Sequence, residues 1–288
     1  MKGLIIKGIG GFYYVKTSEG VYQAKGRGLF KKEGTVLSVG DCVSIDVLPD
    51  GDAVINRIEP RKNHFIRPPI ANVDCIVVVF SATKPKPNFT IIDKFLIMAE
   101  QKGIEPIICI NKCDLLPEDK VNHLADIYEP SYKVVRTSTK SGEGINRLEK
   151  LIEGRKVAFA GPSGVGKSTI TNAIIPEANM ETGRISEKTS RGRHTTRHVE
   201  IFETKGGGYV FDTPGFTSFD ILDADEDDLK DYYPEIAMFT GKCRFDNCRH
   251  VKEPGCAVIE AVESGIINKQ RYESYLQHME EIKKRKKY

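Results

Sequence analysis

Hydrophobic positions fall into three patterns along the chain. Over residues 1–65 the apolar residues come in short runs broken by glycine, proline and aspartate. These runs are Gly10-Gly11-Phe12-Tyr13-Tyr14-Val15, Gly20-Val21-Tyr22-Gln23-Ala24, Asp41-Cys42-Val43-Ser44-Ile45-Asp46-Val47 and Asp52-Ala53-Val54-Ile55. Few short strands with such punctuation predict an all-β module, and an OB-type barrel hides their edges most simply. Arg61 to Asn72, with Arg67-Pro68-Pro69, reads as a linker. The runs then become continuous at Cys75–Phe80, Pro106–Ile110, Val134–Thr137, Val157–Ala160 and Tyr209–Phe211, the pattern of buried parallel strands. Helical periodicity alternates with them over 91–101, 120–128, 145–152 and 167–175, which predicts a doubly wound α/β sheet with its ligand loops at the strand C-termini. From Asp225 the chain turns helical and cysteine-marked, with a final helix over 268–287. The expected division is therefore a barrel over 1–65, an α/β domain over 66–220 and a mostly helical domain over 221–288.

Three strand-end loops carry recognisable chemistry. Gly161-Pro162-Ser163-Gly164-Val165-Gly166-Lys167-Ser168 follows one predicted strand and opens a predicted helix, the context a phosphate loop requires. Its glycines let backbone N–H groups close around a β-phosphate. Lys167 reaches the β- and γ-oxygens and Ser168 ligates Mg²⁺. Asn111-Lys112-Cys113-Asp114 also follows a strand. The Asp114 carboxylate can accept from N1–H and N2–H₂ of guanine, a pair of donors adenine lacks. Thr137-Ser138-Thr139-Lys140-Ser141-Gly142 resembles the small-residue loop whose backbone, here at Ser138, meets guanine O6. Asp212-Thr213-Pro214-Gly215 supplies a third element: Asp212 for the Mg²⁺ shell and the Gly215 N–H for the γ-phosphate. Thr196 is the preferred further Mg²⁺ ligand, with Thr195 next, from the polar segment Arg191–Arg197. Phe216 stands where signalling GTPases carry the glutamine that orients water. Slow intrinsic turnover follows, and His194 is the candidate base beside Lys167 in the catalytic set. The base-reading loop precedes the phosphate loop by about fifty residues, so the domain reads as circularly permuted.

Cys243, Cys248, His250 and Cys256 supply three thiols and an imidazole within a short stretch, a closed shell for one structural Zn²⁺. Cys42, Cys75 and Cys109 fall in predicted strands and are expected to be buried. The net charge of +3 is mild, but basic residues gather in the first sixty positions and at Lys283–Lys287, around an acidic stretch from Asp220 to Asp231. Basic ends suit an anionic partner such as RNA, and Phe12, Tyr13, Tyr14, Lys25 and Arg27 are barrel residues able to meet it, although alternation places some of the aromatics in the core. No apolar run is long enough for a membrane span, and Met1–Lys7 is too short and too quickly polar for a signal peptide, so a cytoplasmic location is expected.

Together these residues resemble the RsgA (YjeQ/YloQ) family of circularly permuted GTPases that depend on the small ribosomal subunit. The resemblance covers the barrel, Arg61-Lys62-Asn63, the permuted loops, Gly192-Arg193-His194-Thr195-Thr196 and the Cys-Cys-His-Cys cluster. It implies an N-terminal OB-fold, a central P-loop GTPase, a C-terminal helical zinc domain, contact with rRNA, and a GTP-to-GDP hydrolase of late small-subunit maturation stimulated by the subunit. It also extends the GTP-binding stretch from Gly161 to Thr169. A monomer without membrane association is expected. Two other readings compete. One is a permuted GTPase of the large subunit, disfavoured by the barrel and the cysteine cluster. The other is a non-catalytic RNA-binding scaffold that holds GTP as a structural ligand, motivated by Phe216.

Overall fold

Lys2–Ile9 forms the first strand of the chain, and the apolar pattern predicts none there because Ile5 alone of its eight residues is buried and alternation is hardly visible. The computed structural model describes residues 1–49, 51–178, 180, 199–212 and 224–285. Arg191–Arg197, with His194, Thr195 and Thr196, and Thr213–Phe216, with Gly215, lie outside these residues, as do Lys286 and Lys287.

In chain order the elements are β1 (Lys2–Ile9), β2 (Phe12–Thr17), β3 (Gly20–Gly26), α1 (Gly28–Lys32), β4 (Cys42–Val47), β5 (Ala53–Ile58), β6 (His64–Phe65), β7 (Ile70–Ala71) and β8 (Cys75–Ser81). Next come α2 (Phe89–Gln101), β9 (Glu105–Asn111), α3 (Glu118–Ala125), β10 (Lys133–Arg136), α4 (Ile145–Ile152), β11 (Lys156–Ala160) and α5 (Lys167–Ile174). The chain closes with β12 (Val199–Glu203), β13 (Tyr209–Asp212), α6 (Pro234–Ala237), α7 (Ala257–Glu263) and α8 (Lys269–Arg285). They divide between two units, one of Met1–Ile76, Leu148–Phe159 and Ser168–Phe216, the other of Val77–Arg147, Ala160–Lys167 and Thr217–Tyr288.

In the first unit β1 pairs with β2, β2 with β3, β3 with β5, β5 with β4, and β4 returns to β1. The circuit is a closed five-stranded barrel in which only the β3–β5 pair is parallel. Ile5, Val15, Ala24, Val43, Ile45 and Ile55 fill it. Each large aliphatic side chain removed from water contributes roughly 1.5–3 kcal/mol before chain entropy opposes it. Phe12, Tyr13 and Tyr14 are all half-buried, and the Lys25 ammonium stands 4.6 Å from the Phe12 ring centroid. Beyond the barrel, β1 also pairs with β12, giving the order β11-β13-β12-β1. β11 and β13 run parallel, with Ala158 opposite Phe211. Cys42 corrects one expectation: it is the exposed first residue of β4, on the face turned away from Val43 and Ile45.

The second unit carries the strand order β10-β9-β8, with every residue of β8 buried. β9 and β10 are parallel, Ile107 standing opposite Lys133 and Ile110 opposite Arg136. The Asn88 side chain caps α2 by accepting from the Ile91 N–H. α2 buries Ile92, Phe95, Leu96 and Ile97 on one broad face. Ile97 joins a core made by the C-terminal elements: Leu229, Tyr233, Ile236, Val258, Ala261, Tyr275, Met279 and Ile282, with Cys248 and Cys256.

Candidate nucleotide site and metal centre

The phosphate loop leaves β11 at Gly161 and enters α5 at Lys167. Gly161 has φ +137°, and a Cβ there would lie 2.1 Å from the Val79 carbonyl oxygen, so no other residue fits at this turn. Gly166 has φ +104°, and a Cβ would meet the Asn111 amide nitrogen at 2.2 Å. The second glycine thus makes room for the neighbouring loop. The Lys167 ammonium donates to the carbonyls of Gly161 and Pro162 at 2.7 and 2.8 Å. Burial pulls its pKa down to about 8 by stripping water from the ammonium. Val165 is buried, Pro162 and Gly166 are half-buried, and Ser163, Gly164 and Thr169 are exposed.

Asn111 to Asp114 lie at the C-terminal end of β9 and in the 3-10 turn after it. Asn111 is fully buried, and its amide donates to the Val165 carbonyl at 2.9 Å. Lys112 adopts the left-handed region at φ 63° and aims its ammonium at the carbonyls of Lys84 and Gly164, 2.6 and 2.8 Å away. The two loops are therefore stitched together by side chain to backbone bonds. Asp114 is exposed, and Ser138 donates its hydroxyl to one carboxylate oxygen at 2.7 Å. Cys113 is half-buried and its thiol, raised mainly by burial, donates to the Ile110 carbonyl.

Thr137 is a residue that motif reading assigns no role. Its buried hydroxyl lies 3.2 Å from both the Ile110 carbonyl and the Asn111 side-chain oxygen, and its backbone carbonyl accepts from Cys113 N–H. It fixes the end of β10 to the loop leaving β9. A small hydroxylated residue directly before Ser138 was the available signal.

In the first unit, Ser168 and Thr169 occupy the first turn of α5, and Asp212 ends β13. Asp212 follows Phe211, whose partner in the ladder is Ala158, so its carboxyl emerges at the carboxyl ends of the parallel strands. Burial, and then Glu200, raise its pKa. A half-buried carboxylate shifted in that direction suits a position that a cation completes. Of the expected Mg²⁺ set, Ser168 and Asp212 are described; Thr196 is not.

The cysteine cluster converges in space as well as in sequence. One ligand atom from each of Cys243, Cys248, His250 and Cys256 lies within 4.8 Å of all the others. His250 Nδ1 stands 3.5 Å from the Cys243 sulfur and 3.4 Å from that of Cys256, and the two sulfurs are 3.9 Å apart. Sulfurs bound tetrahedrally to Zn²⁺ would be about 3.8 Å apart. Burial pushes the Cys248 thiol up to about 12 and lowers the His250 pKa, the latter with help from Lys230. Burial favours the neutral imidazole, the form a ligand must take, and the cost of buried thiolates is one that a divalent cation offsets. The donor set, its closure and its spacing fit a structural zinc.

The loop between His250 and Cys256 is organised by Glu253, another residue unmarked by motif reading. Its carboxylate accepts from the backbone N–H groups of Arg249, Val251 and Lys252 at 3.0, 2.7 and 2.9 Å. Burial alone would raise this carboxyl, but the backbone donors bring it down to about 2. From α8, the hydroxyls of Tyr272 and Tyr275 donate to the carbonyls of His250 and Arg249. His250 itself has φ 57°, so its backbone is held where few side chains settle.

Comparison with known proteins gives one consistent result. The RsgA GTPase family model matches residues 58–222, and the RsgA N-terminal domain model matches residues 2–55. Several relatives carry the name small ribosomal subunit biogenesis GTPase RsgA. The one from Caldanaerobacter subterraneus subsp. tengcongensis is 44% identical over 100% of this chain and 97% of its own. That from Alkaliphilus metalliredigens is 46% identical over 100% and 99%. Among solved structures, YjeQ from Thermotoga maritima aligns with a TM-score of 0.85 at 37% identity, covering 98% of each chain. YloQ, described as a circularly permuted GTPase, aligns with a TM-score of 0.83 at 39% identity, over 99% of this chain and 95% of its own. The permuted loop order, the barrel and the cysteine cluster thus meet in one conclusion: the chain belongs to the RsgA GTPase family.

Proposed function

We propose that this chain is a GTP hydrolase of small ribosomal subunit maturation, in which the barrel over 1–65 and the zinc domain over 221–288 flank a permuted GTPase over 66–220. The observation that carries the reading is the stitching of the loop holding Asp114 to the phosphate loop through Asn111 and Lys112. A base reader and a phosphate cradle fixed to each other select a guanine nucleotide as a whole.

The hydrogen bonds at Asn111, Lys112 and Ser138 support the following roles. Asp114, oriented by Ser138, accepts from the guanine N1–H and N2–H₂, while the Lys112 stem lies along the base and Cys113 completes the loop. Backbone N–H groups of Gly161–Lys167, including those of Ser163, Gly164 and Val165, surround the β-phosphate, and Ser168 and Thr169 extend the cradle into α5. Lys167 leaves the carbonyls of Gly161 and Pro162 for the phosphate oxygens. Ser168, Asp212 and Thr196 would hold Mg²⁺, which would supply positive charge to offset that of the phosphates. Gly215 offers its N–H to the γ-phosphate, and His194 accepts a proton from the attacking water.

The relatives' names place their activity in small-subunit biogenesis, and the same partner is proposed here, with rRNA contact through the barrel residues around Phe12 and Lys25. Monomeric state and cytoplasmic location belong to the same reading; among the described residues no helix is long and apolar enough to cross a membrane. Phosphate release from GTP, measured with purified small subunits, with large subunits and alone, tests it. Small subunits alone are expected to accelerate release, with ATP inert. Acceleration by large subunits would transfer the reading to the other particle, and GTP binding without turnover in any mixture would make the protein a scaffold.

A further inference from the structure

α2 begins a few residues after a segment that touches the guanine loop, and its exposed side is taken by α8. The Lys84 carbonyl accepts from the Lys112 ammonium at 2.6 Å, and the Ala82 N–H donates to the Asn111 carbonyl at 2.8 Å. From there the chain runs to the Asn88 cap and into α2. On the first turns of α2, Thr90 and Lys94 are held by α8: His278 Nε2 donates to the Thr90 carbonyl at 3.0 Å, Gln277 meets the Thr90 hydroxyl, and Lys94 pairs with Glu281 at 2.7 Å. His278 is fully buried, and its Nδ1 lies 2.8 Å from the Tyr233 hydroxyl. With Nε2 committed to donating, Nδ1 accepts, so a single neutral tautomer joins α8, the start of α2 and the segment before α6.

We propose that His278 is a positioning residue for the guanine site, acting through Thr90 and the 82–88 segment on the Lys84 carbonyl that holds Lys112. The inference rests on the guanine-nucleotide reading above and deepens it, since it gives that site a dependence on the helix that also holds the zinc loop. Lys112 has two carbonyl partners, and only Gly164 belongs to the phosphate loop. The other moves with the start of α2. Seating α8 against Thr90 therefore favours the Lys112 position that closes the guanine site, and binding of guanine favours the seated α8. By linkage the two effects are equal in free energy. Nothing in the route uses the chain between Asp212 and Ala224, so the helical region and the nucleotide are connected by a second path besides the covalent one.

The test uses the full chain with zinc bound and GDP as the probe. Hydrogen exchange over residues 271–282 is measured with and without saturating GDP, beside GDP affinity by titration. GDP is expected to slow exchange in α8 by roughly fivefold or more, the low end of ordinary allosteric coupling. His278→Leu should weaken GDP binding by a similar factor and abolish the nucleotide-dependent protection. His278→Gln, which keeps a donor for the Thr90 carbonyl, should recover part of both. If His278→Leu does not fold, Gln277→Ala on the exposed side of the same contact is expected to reduce the protection while leaving zinc bound. Unchanged α8 exchange on GDP binding in the parent protein overturns the proposal while leaving the GTPase reading intact. A parent protein that binds no GDP overturns both.

Discussion

Asn111 and Val165 are joined by a 2.9 Å hydrogen bond from the buried side-chain amide of one to the backbone carbonyl of the other. The bond ties the loop after β9 to the loop after β11, and it depends only on where those strands end, not on which comes first in the chain. Parallel strands deliver their C-terminal loops to one edge of a sheet whatever their order. Permutation of the motifs is therefore compatible with an unpermuted site.

Asp114 is the next residue but two in that loop, and Ser138 fixes one of its oxygens. Asp114→Asn replaces an acceptor by a donor on the edge facing the base. GTP affinity is expected to fall by roughly 100-fold or more, because buried donors of guanine lose their partners. Xanthosine triphosphate, with the complementary edge, should gain. Competition binding with GTP, xanthosine triphosphate and ATP measures the switch, and a variant that still prefers GTP would remove Asp114 from the base contact.

Lys167 makes a prediction about protons. In the nucleotide-free site burial holds it at about 8, and a phosphate would restore the charged form. A group whose pKa rises on binding takes up protons between its free and bound values. Nucleotide binding near pH 8 should therefore absorb roughly half a proton, and binding at pH 6 none from this group. Apparent affinity should fall as pH rises from 8. Calorimetry in buffers of different ionisation enthalpy reads the uptake directly. Equal uptake in Lys167→Met would assign the proton elsewhere.

The parts of the site that were legible in the sequence are short and local. A phosphate loop, a base-reading tetrapeptide and a cysteine cluster each need particular residue types at fixed spacing, and the spacing survives on the page. β1 and β12 did not show, because where they pair, beside the barrel, they present polar residues such as Lys7 and Glu200 on partly covered faces. Periodicity sees only a one-sided strand. Thr137 and Glu253 escaped for another reason: their work is done on backbone groups, whose positions depend on the fold. Arg271 escaped because a helical arginine reads as surface, whereas here it is fully enclosed.

Glu253 can be tested through the metal. Its three backbone donors fix the turn that carries His250 towards Cys256. Glu253→Gln should cost roughly 1–2 kcal/mol of local stability, a figure reduced for the partial exposure of the carboxylate. The parent keeps this contribution above the ordinary carboxylate pKa and loses it as pH falls towards 2, the sign expected for a depressed acid. Because zinc affinity is coupled to folding of the loop, transfer of zinc to a chromophoric chelator at pH 7 should be faster in the variant, by roughly 5- to 30-fold. Transfer at the parent rate would mean that the cluster holds its own loop.

The last prediction concerns the charged centre of the second unit. Arg271 of α8 pairs with Asp93 of α2 at 2.5 Å and with Glu235 of α6 at 2.6 Å, and its guanidinium stacks over Tyr128, Tyr132 and Tyr233. Burial would lower the arginine pKa, but Asp93 and Glu235 hold it well above the ordinary value, so the cation is permanent. Asp93 is fully buried, and burial raises its pKa in spite of Arg271. Arg271→Met fills much of the same space but leaves two carboxylates without a cation. It should destabilise the protein by about 3–5 kcal/mol at pH 7, the cost of an orphaned buried charge. The loss should shrink as the solution is acidified, because the native state of the variant then binds a proton at Asp93 that the unfolded chain releases at a lower pH. Adding Asp93→Asn and Glu235→Gln to Arg271→Met should return a large part of the stability, since neutral amides need no counter-charge. Urea unfolding of the single and triple variants at pH 7 and pH 5 separates these effects. A single variant within about 1 kcal/mol of the parent at pH 7 would show that the tyrosines and the aliphatic packing of α8, not the ion triad, hold this helix in place.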